Sequence, residues 1–326
     1  METASQLLDQ ARKTMQSQQL SNRTEAAYCD WIFRYFLFNG KKDPLILGEK
    51  EVATFLDYLS LQSKKSASTQ NQAHCALLFL YNEVLHQPLA KLHFSRLKHY
   101  RSIPAILTKK EIDVLYSYLD RVPRLVAGLL YGCGLKITEG LSLRVRDVDV
   151  EKKQLKLNNR VLFFPASLEP ELQFQIQEVA AIHQEDIKLG FGEVDIPLTV
   201  RAQNPAEAKT LAWQYLFPAA RCSVHRSANT GIRFHLHESI LQKAIKQAVE
   251  KAQLNKSACC YSLRHSYAAH LLESGNDIGT IQKLLGLQNK RSTMIYTYLV
   301  KQQAQTGKKQ IKNHLSKEED FNFALL

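Results

Sequence analysis

The sequence predicts a mainly helical protein of the α+β class, with a helical first domain and a larger second domain that carries a small antiparallel sheet. Three observations predict it. Apolar residues recur at three- and four-residue steps through the first ninety positions and again through much of the chain beyond residue 164. One stretch, residues 154–164, alternates apolar and polar side chains with a period of two. A basic segment without periodicity, residues 94–107, parts the two helical regions.

In residues 1–93, Tyr28, Trp31, Ile32 and Tyr35 fall on one helical face, and Asn39-Gly40 ends that helix. Val52, Phe55, Leu56 and Leu59 form a second stripe; Leu77, Tyr81, Val84 and Leu85 form a third, with Ser68 as its expected cap. Residues 94–107 include Lys98 and Arg101 and read as an extended basic linker, lying along a phosphate backbone or remaining solvated. The second domain, residues 108–326, opens on a capping box, Thr108 with Glu111, and its helical stripe through Leu129-Leu130 stops at Gly132 and Gly134. In the alternating stretch, Leu155 and Leu157 mark one strand and Val161 and Phe163 the other. Asn158-Asn159 between them suits a two-residue turn because Asn tolerates positive φ. A loop-rich insertion is expected at about 190–233.

The 326 residues suffice for two domains of ordinary size. Forty-three Lys and Arg against 31 Asp and Glu give a formal charge of +12, which favours a polyanionic partner, nucleic acid first. Six cysteines without CxxC spacing argue against a zinc ribbon and a disulfide scaffold, and METASQLLDQARK has no apolar signal core. No run is apolar enough for a membrane span, so a cytoplasmic protein is expected. His235, His237 and Glu238 form no ligand set of recognisable metal spacing and read as a helix start.

Residues 261–287 run YSLRHSYAAHLLESGNDIGTIQKLLGL, and Tyr296 follows in STMIYTYL. This run resembles the tyrosine recombinase (phage integrase) family, whose motif is His-x-x-Arg, a helix, a Gly-Asp-Ile turn, Leu-Gly-His and a nucleophilic Tyr. The resemblance extends over nearly the whole chain: residues 1–93 look like the family's SAM-like core-binding domain and 108–326 like its catalytic domain. AWQYLFP, with Trp213, Phe217 and Pro218, and FHLHESILQKAIKQA are similar to the extra segment of integron integrases.

The resemblance implies site-specific DNA recombination. Tyr296 would attack a phosphodiester to form a covalent phosphotyrosyl link, which conserves the ester energy and needs no cofactor. Arg264 stands at the family's second phosphate-clamping arginine. Lys136 stands where an Arg is called for, a point charge without the planar fork. Tyr261 and Leu287 replace two histidines, and the short hairpin omits the usual general-acid Lys, for which Lys156 is the candidate stand-in. The catalytic set is therefore degenerate, and the alternative is a DNA-binding remnant that occupies sites without cutting. Candidate DNA contacts are Arg144, Lys98, Arg101, His265, taken as an orienting or supporting group, and Trp213. That tryptophan would stack on an unpaired base, with a core Trp as the alternative. The implied partner is duplex DNA or a folded single-stranded site, bound by a homo-oligomer, a tetramer in the family. The tail, with Phe321, Phe323, Leu325 and Leu326, would dock on a neighbouring protomer or fray.

Overall fold

A computed structural model describes residues 2–61, 66–90, 92–97, 105–224, 231–289 and 293–297. The chain divides into two compact units, Met1–Ser102 and Ile103–Leu326.

The first unit is built from α1 (Glu2–Ser17), α2 (Asn22–Phe38), α3 (Glu49–Leu61) and α4 (Ala67–Phe79). Ser21 caps α2 by accepting from Thr24 N–H, and Asn39 and Gly40, the latter at φ +67°, end it. Ser66, not Ser68, caps α4; both serines precede the stripe, but only Ser66 lies outside the helix with its Oγ 3.2 Å from Thr69 N. Tyr81 and Val84 then fall in a single π-helical turn, Leu80–Val84, which keeps both buried. The three stripes meet in one core, at whose centre the Tyr35 and Tyr81 hydroxyls lie 3.0 Å apart and Tyr81 donates to the Pro44 carbonyl. Burial makes such paired hydroxyls necessary.

The segment expected as a linker is partly core. Phe94 packs on the first unit, where the Gln70 side chain bonds both Ser95 O and Leu97 N. Ile106 and Leu107 are buried in the second unit, and Leu107 N–H donates to Ser266 Oγ at 2.8 Å. Lys98 and Arg101 lie outside the described residues, as does the tail with Phe321, Phe323, Leu325 and Leu326.

In the second unit, α5 (Lys109–Ser117) starts on the expected capping box, Thr108 Oγ1 accepting from Glu111 N and Glu111 Oε2 from Thr108 N. There follow α6 (Arg121–Gly132), α7 (Ile137–Leu141), β1 (Val148–Asp149), β2 (Gln154–Leu157), β3 (Arg160–Phe163) and α8 (Glu169–Lys188). Next come α9 (Leu198–Gln203), β4 (Ser223–Val224), β5 (Gly231–Ile232), α10 (Glu238–Lys251), α11 (Cys260–Glu273) and α12 (Ile278–Leu285). The main core gathers α6, α10 and α11 around Leu129, Leu130, Leu241, Ile245 and Leu263, all buried.

The sheet is antiparallel in the order β1-β2-β3, with Leu157 opposite Arg160 across the two-residue turn. Two expectations about this hairpin fail. Neither Asn158 nor Asn159 has positive φ. The phase of β3 is inverted: Leu162, opposite Leu155, and Phe164 are buried, whereas Val161 and Phe163 are 52% and 68% exposed. Four consecutive apolar residues, VLFF, carry no alternation, so pairing with Leu155 decides which side faces the core. Among the described residues, no helix is long and apolar enough to cross a membrane.

Candidate active site

The site forms where the N-terminal half of α11 meets the α6–α7 turn and the end of α12. Arg264 is buried, donating to the Gly134 carbonyl at 2.6 Å and the Leu285 carbonyl at 2.7 Å, with Glu139 Oε2 3.4 Å from Nη1. Burial depresses its pKa and the Glu139 carboxylate opposes that shift. The guanidinium thus ties three segments together through carbonyls that would otherwise be orphaned.

Glu139 is the electrostatic hub. Its carboxylate accepts from the Lys136 N–H at 2.8 Å and from Arg160 Nη2 at 2.9 Å, in addition to facing Arg264; the Lys136 ammonium lies 4.0 Å away. Arg160 comes from β3 and its side chain is nearly buried. A guanidinium therefore stands beside Lys136, supplied by the hairpin. Gly286, in the left-handed conformation at the C-cap of α12, leaves room for it, since a Cβ there would collide with Arg160 Nη1. Glu139 and Arg160 went unnoticed in the sequence because twenty-one residues part them and neither has a distinctive neighbour pattern.

Tyr296 is 4% exposed and packs with Ile106, Ala268, Ala269, Ile281 and Leu285. Its hydroxyl lies 3.0 Å from His265 Nδ1. Burial raises the phenol's pKa, which Arg264 partly counters. Burial, then Arg264, push the His265 pKa down to about 4. His265, expected as a DNA contact with an orienting or supporting role, is half-buried and partners Tyr296. Tyr261, one turn earlier on the same helix face, is 51% exposed, and the rings of Tyr261, His265 and Tyr296 form a row with centroids 6.0 and 5.6 Å apart. Leu287 is partly buried against the Tyr296 cluster.

Lys136 and Arg160 also border a cavity of about 680 Å³ whose wall includes Lys156, Arg144, Arg146 and Trp213. Lys156 is thereby brought to the same opening as Lys136, its ammonium 3.4 Å from Asp149 Oδ2. Trp213 is not a free stacking platform. It is 7% exposed, packs with Val194, Ile196 and Ala208, donates Nε1–H to Glu207 at 2.8 Å and has Arg146 4.1 Å from its ring centre. Its core alternative is the one observed. Arg144, expected to contact DNA, spends its guanidinium on the Trp213 and Asp195 carbonyls. Phe217 reaches the main core, and Leu216 N–H donates to Leu143 O at 2.8 Å, so this segment is firmly seated. His237 caps α10, its Nδ1 accepting from Ser239 N–H, and no group of metal-ligating side chains occurs among the described residues.

A helical domain in which a buried Arg and a buried Tyr both pack on Leu285, beside a three-stranded sheet, has the tyrosine recombinase catalytic fold. Solved structures bear the fold out. A XerH site-specific recombinase bound to a palindromic difH substrate superposes with a TM-score of 0.57 at 17% identity, covering 93% of this chain and 83% of that one. A lambda integrase dimer bound to a core site gives 0.57 at 15%, covering 90% and 94%. Residues 7–91 match the phage integrase N-terminal SAM-like domain and residues 105–303 the phage integrase family. The chain belongs to the phage integrase family. Its relatives include an Escherichia coli protein named integrase/recombinase, 36% identical over 302 residues and 90% of each chain. The Rickettsia conorii tyrosine recombinase XerD is 28% identical over 280 residues, 82% of this chain and 84% of that one.

Proposed function

We propose that this chain is a site-specific DNA recombinase of the integron-integrase kind that cuts one strand at a time through a 3′-phosphotyrosyl link to Tyr296. In this reading the first domain, residues 1–93, grips DNA, residues 108–326 catalyse, and a homo-oligomer, a tetramer when two sites are synapsed, carries out the exchange. Arg264 clamps the phosphate, Lys136 and Arg160 add positive charge beside it, and Lys156 protonates the leaving 5′ oxygen. The observation that carries the reading is that Arg264, bonded to the Leu285 carbonyl, and Tyr296, packed with Leu285, share one buried cluster near a cavity bordered by Lys136, Lys156 and Arg160, in a chain of charge +12. The XerH and lambda integrase structures that share the fold are themselves DNA complexes. The integron assignment rests on the Trp213–Pro218 segment and the residues around His237.

Strand transfer is slow in this reading, because Lys136, Tyr261 and Leu287 each replace a group that would touch the phosphate or move a proton. Loss of one such donor costs roughly 10²–10³ in rate. A second reading, a DNA-binding protein that occupies sites without cutting, is favoured by one feature: Leu287 faces an apolar cluster where the family has a hydrogen-bonding histidine. The test separates the two. Duplexes and hairpins randomised in the core are selected for binding, and the bound sequences are nicked at successive positions. Covalent protein–DNA bands that vanish in Tyr296→Phe establish cutting; salt-sensitive binding with no covalent band establishes the second reading.

A further inference from the structure

The two positions at which the family's histidines would handle protons hold Tyr261 and Leu287, yet an imidazole does touch the nucleophile. We propose that His265 is the general base of strand cleavage, its Nδ1 receiving the phenolic proton as Tyr296 attacks the phosphodiester. This rests on Tyr296 being the nucleophile.

The placement follows from α11. Successive helical residues turn about 100°, so Arg264 faces the Gly134 and Leu285 carbonyls while His265, the next residue, faces Tyr296 with its Nδ1 3.0 Å from Oη. That distance lies within the reach a base requires. The charged and titratable groups around the imidazole are Arg264, Tyr261 and Tyr296. Burial and Arg264 keep the ring neutral at pH 7, and in the tautomer the proposal assigns, with the ring's hydrogen on Nε2, Nδ1 is free to accept from the hydroxyl. The same influences make it a weak base in the free protein. A DNA phosphate bound at Arg264 brings a negative charge that offsets the guanidinium, and the phenol grows more acidic as its oxygen bonds to phosphorus.

In the step, the Oη–P bond forms and the Oη–H bond breaks, the proton passing to Nδ1 to give an imidazolium. The P–O5′ bond breaks, its electron pair remaining on the 5′ oxygen, which takes a proton from a cavity ammonium or from water. Rejoining reverses each transfer, and the imidazolium returns its proton to the departing phenolate.

The experiment uses the full chain and the selected nicked DNA in two forms, natural and with sulfur bridging at the scissile 5′ position. A thiolate leaves without an acid, so the sulfur substrate isolates the nucleophile's side. His265→Asn keeps an acceptor oxygen near the Nδ1 position but removes the base; His265→Gln replaces it if the shorter side chain impairs folding. The expected result is a fall of roughly 10²-fold in the single-turnover rate of covalent complex formation, equal on both substrates, with DNA binding and thermal unfolding retained. A wild-type rate in the Asn or Gln variant, which would reduce His265 to a hydrogen-bond acceptor, overturns the proposal. So does a defect that the sulfur substrate cures, since it would place His265 on the leaving-group side. Absence of covalent product from the wild type on either bound substrate overturns the strand-cleavage reading, and this one with it.

Discussion

The two sides of the candidate active site are built on opposite terms. On one, Arg264 and Tyr296 are buried and His265 is largely enclosed, held by carbonyls, by each other and by apolar neighbours. On the other, the Lys136 and Lys156 side chains border an open cavity and rest on carboxylates with half or nearly half of their surface in water. The contrast shows where chemistry and folding share the same atoms. A buried group that binds its surroundings cannot change without cost to the fold, whereas an exposed ammonium changes at the expense of reactivity alone.

The largest expected effect is that of Arg264→Ala, which leaves the buried Gly134 and Leu285 carbonyls without their donor and removes one of the cations around Glu139; it should cost about 2–5 kcal/mol in urea unfolding. A loss under about 1 kcal/mol would erase the contrast between the sides. Next is Leu287→His. It puts an imidazole into an apolar cluster and should cost about 1–2 kcal/mol of stability, while restoring a hydrogen-bond donor that raises covalent-complex yield on nicked DNA. Unchanged stability would mean that this position belongs to the open side.

On the open side, Lys136→Arg should leave stability within about 0.5 kcal/mol and still raise the covalent rate at least roughly tenfold, because only the guanidinium fork makes two parallel bonds to a phosphate. A yield no higher than wild type would indicate that Arg160 already fills the role. The smallest effect concerns Lys256, whose ammonium bonds both Glu111 and the carbonyl of Ile106, a member of the Tyr296 cluster. Burial raises the Glu111 pKa, but Lys256 and the Thr108 amide outweigh it and the net shift is downward. A depressed carboxyl stabilises above its ordinary value, here 4.5, and that contribution is lost as pH falls through the folded value. Lys256→Met should therefore cost about 0.5–1 kcal/mol at pH 7 and flatten the acid side of the stability–pH curve. An unaltered acid limb would show that the bridge does not buttress the site.

What the sequence determined by itself is what neighbours within a few residues decide. The Thr108–Glu111 capping box, the stop at Asn39-Gly40 and the buried stripes at Trp31–Tyr35 and Val52–Leu59 all follow from backbone torsions, capping hydrogen bonds and periodic burial. The 261–296 motif was equally legible, because its residues keep their order and spacing along the chain. Tertiary structure decided the rest. The α4 cap, expected at Ser68, falls at Ser66, and pairing with Leu155 puts Leu162 rather than Val161 on the buried face of VLFF. Trp213 read as either a stacking or a core residue and Arg144 as a DNA contact; the fold sets Trp213 against Glu207 and Arg144 against backbone carbonyls. Most consequentially, Glu139 meets Arg160 and Arg264, and His265 meets Tyr296, across separations of 21, 125 and 31 residues. Such contacts have no local signature, because the energy that selects them comes from burying α11 against the rest of its domain, and a charge or hydroxyl enclosed in that process must find its partner wherever the packing brings one.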